Sequence, residues 1–466
     1  MLNLKKSAAV RALIYATAAL AITACSQPAD TGADAAAATV APDTSWPASA
    51  IADPASVGFS AEGLAALDAQ MAKSVADQDV AGMVTLLARH GKVAQFNAYG
   101  VQSGDPATGA PMTKDSLFRI YSMSKPITGV AMMQLYEEGK WQLDDPVTKY
   151  VPEFENLKLM TGVDENGAAI VANPSRAPTM REIMTHTAGF GYGLSGNDPV
   201  NTAFRDQAVL ASGNLDELIT KVADIPLLYD PGTRWSYSVS VDIQGYIVQK
   251  LSGQKLGEYM HDHIFKPLGM DETSFYVHDN QVSRFADVYH WDKETSALVK
   301  NEERVDRPTF TDPSRLESGG GGLVSTTHDY ARFCQMMLNK GELDGVRIID
   351  AASVDLMSQN HIGDLRLYSD GTTANPGIPG VGFGLDFAVH MDPENNGTPY
   401  GKGTYYWGGA AGTWFWIDPT NDLFFIGMIQ RMGPARPDGM NFREDSARLV
   451  YEALDDTLPA AGAGEH

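Results

Sequence analysis

The stretch Phe118–Gly139, "FRIYSMSKPITGVAMMQLYEEG", sets two serines and one lysine at the opening of a helical pattern. Ser122 and Lys125 form S-x-x-K. Positions i and i+3 of a helix share one face, so the Lys125 ammonium can reach the Ser122 hydroxyl. Ser124 lacks this arrangement, because its i+3 neighbour is Ile127. A serine at a helix N-terminus also faces the positive end of the dipole, which favours an anion developing there. Pro126 supports a helix start nearby, although proline disfavours helical geometry at the residue before it. S-x-x-K alone is common, and taken by itself a helix cap beside a solvated lysine is the better explanation. Other segments have to supply the partners.

Two of them do. In "YDPGTRWSYSVSVDIQGYIVQKLSG", Tyr229–Gly253, an Asp-Pro-Gly turn leads through Tyr237-Ser238-Val239 into an amphipathic helix. A tyrosine fixed just before a helix can present its phenol as a proton shuttle; a half-buried structural tyrosine is the plain alternative. Further on, Trp407-Gly408-Gly409-Ala410 falls inside a predicted strand. Glycines there mark the close approach of another backbone or a ligand, or a bulge. Exposed N–H groups on such a strand can serve an oxyanion.

The order and separation of these three elements resemble the serine hydrolases of the β-lactamase and penicillin-binding-protein superfamily. The resemblance runs from about residue 56 to 455. It takes in "LDDPVTKYVPEF", "REIMTHTAGF", "IFKPLGMDETSF" and "GGGGLVSTTHDYARFCQMMLNKGELDGVRIID", which carry no obvious chemistry. These look like the class C β-lactamase-like branch, and Trp-Gly-Gly in the third element is similar to the family VIII carboxylesterases.

The resemblance implies an acylated nucleophile at Ser122, with Lys125 and Tyr237 relaying its proton and Tyr237 later activating water. It implies an oxyanion hole from the backbone N–H groups of Ser122 and Ala410. It implies substrate contacts at Trp407, Gly408 and Gly409, no cofactor, and a small-molecule ester as partner. Serine needs such help, because its hydroxyl is a weak nucleophile without a neighbouring base. Two departures bear on the substrate. Penicillin-recognising members have Lys-Thr-Gly where this chain has Trp407-Gly408-Gly409, and class C enzymes have Tyr-x-Asn where it has Tyr237-Ser238-Val239. The groups that bind a substrate carboxylate and a side-chain amide are therefore missing. Both losses point to a neutral ester in an apolar site walled by Trp407. A β-lactamase or D-Ala-D-Ala carboxypeptidase is the enzymatic alternative, and a non-catalytic envelope-binding lipoprotein is the alternative of another class.

The chain of 466 residues is 44% apolar and 20% charged, which marks a folded protein with a large core. A formal charge of −23 with no basic block excludes nucleic acid as a partner. Lys5, Lys6 and Arg11 precede a short apolar run that ends "ITAC" at Cys25. This resembles a bacterial lipoprotein signal, implying removal of residues 1–24 and lipidation of Cys25. The expected location is the cell envelope, with the membrane touched through the lipid alone. A lipidated Cys25 leaves Cys334 without a disulfide partner. Cys334 falls on the apolar face of a helical pattern and reads as a small core residue.

Residues 25–50, rich in Ala, Asp, Thr and Pro, read as a flexible tether, 51–455 as the hydrolase domain, and 456–466 as a disordered tail. "GMVTLLARHGKVAQFNAYG" predicts a hairpin turning at His90-Gly91. "TYYWGGAAGTWFWIDPTNDLFFIGMIQ" predicts two strands turning at residues 418–422, ahead of a final amphipathic helix. Helices are expected around 180–190, 213–224, 239–252 and 255–266. The resulting fold class is α/β plus all-α, β-lactamase/transpeptidase-like. An antiparallel sheet built from both chain ends is flanked by helices, with a mostly helical lobe inserted and the site in the cleft. His261 and His263 point apart on a helix, so no metal site is read there. His186 reads as structural, and the Gly319–Gly322 run as tight packing beside the active-site strand.

Overall fold

The computed structural model describes residues 46–47, 50–302, 308–368 and 376–455. The signal-like segment, Cys25, most of the tether and the 456–466 tail lie outside them.

The core is an antiparallel sheet assembled from both halves of the chain. Its strands are β1 (Gly82–Arg89), β2 (Lys92–Ser103), β3 (Ala110–Pro111), β4 (Val381–Phe383), β5 (Ala388–His390), β6 (Tyr405–Gly408), β7 (Trp414–Asp418) and β8 (Leu423–Ile429). The eight run in the order β4-β5-β6-β7-β8-β1-β2-β3, so the last strand pairs with the first. Strands covered on both faces read as nearly unbroken apolar runs, and side-chain alternation divides them between two layers. Trp414 and Trp416 of β7, with Leu423 and Phe425 of β8, face one layer. Phe415 and Ile417, with Phe424 and Ile426, face the other.

The first layer holds α1 (Ala61–Ala76), whose N-terminus Ser60 caps by accepting from Gly63 N–H, and the final helix Phe442–Glu452. The second holds the long middle of the chain, with α2 (Ser124–Glu137), α3 (Ser240–Ser252) and α4 (Thr327–Leu338). The final helix is α5. Shorter helices cover Met180–Met184, Leu215–Ala223 and Leu256–Met260. The helix expected over 180–190 stops early because His186 turns into the left-handed region at φ 57°. Two further short hairpins, Leu159–Val163 with Ala169–Ala172 and Tyr289–Asp292 with Ala297–Lys300, lie outside the main sheet and are absent from the sequence expectations.

One expectation is corrected. The span expected as two strands between Thr404 and Gln430 forms three, because Gly409–Gly412 make a tight turn of their own. Gly409 N–H donates to the Thr413 carbonyl at 2.8 Å, and Gly412 N–H to the Gly409 carbonyl at 3.0 Å. Gly408 therefore ends β6, and Gly409 and Ala410 sit in a turn rather than inside a strand. Among the described residues, no helix is long and apolar enough to cross a membrane.

Candidate active site

Ser122 occupies a 3-10 turn, Tyr121–Met123, immediately before α2. Tyr121 holds φ 42°, a left-handed conformation that turns the chain sharply into the helix. Lys125 lies in the first turn of α2 and is 1% exposed. Its Nζ donates to Ser122 Oγ at 3.2 Å, to Tyr192 Oη at 3.1 Å and to the Gly320 carbonyl at 2.6 Å. The Lys125 nitrogen thus has three hydrogen-bond partners. Ser124 is fully buried, and its Oγ accepts from Leu323 N–H at 3.1 Å, on a different side of the helix start. The two serines are not interchangeable.

Tyr237 Oη donates to Ser122 Oγ at 2.6 Å. The Trp235–Ser238 segment that carries it is clamped by His186. The His186 carbonyl accepts from Ser236 N–H at 2.9 Å, and its Nδ1 accepts from Ser238 N–H at 3.2 Å. The imidazole also packs on the phenol, with ring centroids 4.9 Å apart. Trp407 contacts the Tyr237 ring at 5.5 Å, and the Lys125 ammonium lies 4.6 Å from its centroid. A phenol packed on several sides has few rotamers left, so its hydroxyl stays on Ser122.

The end of β6 closes the opposite wall. A Cβ on Gly409 would stand 2.4 Å from the Ile120 carbonyl and 2.2 Å from Thr413 Oγ1. Glycine there lets the turn rest on the backbone two residues before Ser122. Ser122, Tyr237, Trp407, Gly409 and Ala410 line one open cavity of about 230 Å³. Leu194, Tyr368 and Ile378 form an apolar, exposed rim. Arg443 of α5 reaches the same cavity over Gly408, where a Cβ would meet its Nη2 at 2.1 Å.

Burial dominates the electrostatics around Lys125. It pushes His186 well below its ordinary value, with Lys125 adding to the effect, so the imidazole is neutral. It pushes the Tyr192 phenol well up, reinforced by Asp242 and Tyr237. Asp242 and Asp386 are also raised by burial, with Lys125 pulling each the other way.

The structure gathers Ser122, Lys125, Tyr237, Trp407, Gly408, Gly409 and Ala410 around one cleft. The glycine run does not lie where it was expected. Gly319 and Gly320 pack on α3, where added Cβ atoms would stand 2.6 Å from Val241 O and Asp242 Oδ2, and the Gly320 carbonyl holds Lys125. Cys334 is a buried thiol. His263 stacks on Tyr259 with centroids 4.3 Å apart, and His261 pairs with Asp262 at 2.9 Å. Tyr192, Asp242 and Arg443, and the hold of the Gly320 carbonyl on Lys125, are not legible in the sequence reading. Only Tyr192, one of two aromatics set between glycines in "GFGYG", carried a visible local signal.

An S-x-x-K serine and lysine on a helix, a tyrosine from an inserted helical lobe and a sheet edge opposite define a β-lactamase-type serine hydrolase scaffold. The comparisons with known proteins agree. Residues 67–448 match the family model described as Beta-lactamase. Protein Rv1367c of Mycobacterium tuberculosis is 35% identical over 355 residues, covering 75% of this chain and 86% of the relative. Esterase EstB of Burkholderia gladioli is 31% identical over 381 residues, covering 78% and 90%. Among solved structures, EstCE1, a hydrolase with promiscuous acyltransferase activity, is 26% identical with a TM-score of 0.68, covering 86% of this chain and 99% of its own. The chain belongs to the β-lactamase family and is a serine hydrolase on the carboxylesterase-like branch that holds EstB and EstCE1.

Proposed function

We propose that this enzyme cleaves carboxylic esters through an acyl-enzyme on Ser122. The observation that carries the proposal is a single hydroxyl held between the Tyr237 phenol and the Lys125 amine, on the floor of an apolar cavity. With one proton lost from the Lys125–Tyr237 pair, the pair takes the Ser122 proton as Oγ bonds to the ester carbonyl carbon and the carbonyl π electrons move onto its oxygen. The same pair returns a proton to the departing alcohol as the C–O bond breaks. Water then attacks the acyl carbon, its proton passing to Tyr237; the C–Oγ bond breaks, Oγ takes that proton back, and the acid leaves. The Ser122 and Ala410 N–H groups hold the oxyanion in both steps; such donors contribute about 3 kcal/mol each.

Mass spectrometry after treatment with a fluorophosphonate tests the assignment, with an adduct expected on Ser122. A panel of chromogenic short acyl esters and cephalosporins, run with Ser122→Ala as control, tests the substrate class. Ester turnover is the expected result. Fast cephalosporin hydrolysis with negligible ester cleavage would overturn it.

A second reading, a β-lactamase or carboxypeptidase, is favoured by Arg443, a cation at the cavity edge able to pair with a substrate carboxylate.

We also propose that the enzyme is held in the cell envelope by lipid on Cys25. The reading rests on the basic, apolar and Ile22–Cys25 succession. Metabolic labelling with a fatty acid should mark the protein, and Cys25→Ser should abolish the label.

A further inference from the structure

Asp242 is a fully buried carboxyl on α3 that is not among the residues lining the cavity. Its Oδ1 accepts from Ser318 Oγ and, at 3.2 Å, from Gly320 N–H. Its Oδ2 has no hydrogen-bond partner among the described residues. Both bonds go to the turn that opens the glycine run. That turn is also stitched to α2, since Thr128 Oγ1 donates to the Gly319 carbonyl at 2.8 Å and Leu323 N–H to Ser124 Oγ. Between these ties the Gly320 carbonyl receives Lys125 Nζ in the shortest of its three bonds.

A lysine amine on a four-carbon stem has little orientation of its own. Of its acceptors here, two are hydroxyls, which can donate as well as accept. The Gly320 carbonyl can only accept, so it is the fixed point. The turn lies close against α3 because residue 320 lacks a Cβ, which would meet Asp242 Oδ2 at 2.6 Å and Tyr192 Oη at 2.8 Å. We propose that Asp242 is a positioning residue: it pins the Gly319–Gly322 turn, and the Gly320 carbonyl in turn holds Lys125 on Ser122. Removing the pin lets the amine drift, and misplacement by about 1 Å lowers a rate about 100-fold.

The inference rests on the reading of Ser122 as nucleophile, so the experiment separates the two. Steady-state kinetics on a chromogenic short acyl ester and the rate of Ser122 labelling by a fluorophosphonate are measured on the full chain. Asp242→Leu removes the acceptor, Asp242→Asn keeps an oxygen for both donors, and Ser318→Ala removes one donor. Asp242→Leu should lose about 100-fold in kcat and in labelling rate, with KM within about twofold. Asp242→Asn should recover to within about fivefold of wild type, and Ser318→Ala should lose about tenfold in kcat. A merely structural role would reduce folded protein without this split between kcat and KM and without rescue by asparagine. Wild-type kcat in Asp242→Leu, or equal losses in the Asn and Leu variants, overturns the proposal. If Asp242→Leu does not fold, an unimpaired Ser318→Ala overturns it. Activity surviving Ser122→Ala sinks the parent reading instead.

Discussion

The Tyr237 hydroxyl donates to Ser122 Oγ at 2.6 Å although 115 residues separate the two in the chain. The bond joins the turn before α2 to the loop before α3, so the chemistry depends on how two helices pack. Tyr237→Phe keeps the ring contacts with His186, Trp235 and Trp407 and removes only the oxygen. It should lower the acylation rate by about 10²- to 10⁴-fold with the fold intact, read by single-turnover kinetics and circular dichroism.

Ser122→Ala and Ser124→Ala should part company. The first should reduce kcat by at least about 10⁴-fold. The second leaves Leu323 N–H without its acceptor, which should cost about 1–3 kcal/mol of stability while most turnover survives. Denaturant titration beside kinetics checks both; equal losses of turnover would undermine the assignment of the nucleophile.

Gly409→Ala tests the close contact between the β6 turn and the backbone leading to Ser122. A Cβ 2.4 Å from the Ile120 carbonyl has no flexible neighbour to displace on that side. Shifting the turn by a fraction of an ångström should lower kcat/KM about 100-fold. Gly91→Ala, in the β1–β2 turn with nothing within 4 Å but φ +68°, should cost about 1 kcal/mol and leave kcat alone.

Arg443→Ala bears on the substrate. Pairs of esters differing only in a carboxylate would be compared. If the guanidinium receives an anion, preference for the acidic member should fall about tenfold. An unchanged preference would remove the observation that favours the second reading.

His390 makes stability depend on pH. Burial between Tyr400 and Tyr406, whose rings stack on it at 4.2 and 4.8 Å, pushes it down to about 4 from 6.5. A histidine held neutral contributes fully above the unfolded value, and the contribution fades as pH falls from about 6.5 towards 4. Between pH 7 and pH 5 this group alone should lose about 2 kcal/mol. His390→Phe should remove that part of the slope in unfolding free energy against pH, measured by denaturant titration.

What the sequence reveals follows from how local each feature is. S-x-x-K is legible because one helical turn brings its two members together, and the sheet strands because doubly buried strands are apolar throughout. The Gly409–Gly412 turn was overlooked because "GGAAG" between aromatic runs resembles a strand with small residues. Asp242 looks like a favourable charge in the first turn of a helix, and only the approach of Ser318 and Gly320 gives it another use. Arg443 resembles any solvated arginine on a terminal helix until β6 is placed beneath it. Such residues gain meaning from segments far away in the chain, which no local pattern encodes.

The pairing of β8 with β1 also has a temporal side. Seven residue pairs, from Met83↔Ile429 to Arg89↔Leu423, form the middle of the sheet. A growing polypeptide makes Ser122 before the β6 wall that faces it and before β8, the partner of β1. The proposed site can therefore assemble only once Ile429 has been made, and a chain stopped before Leu423 should show no ester turnover.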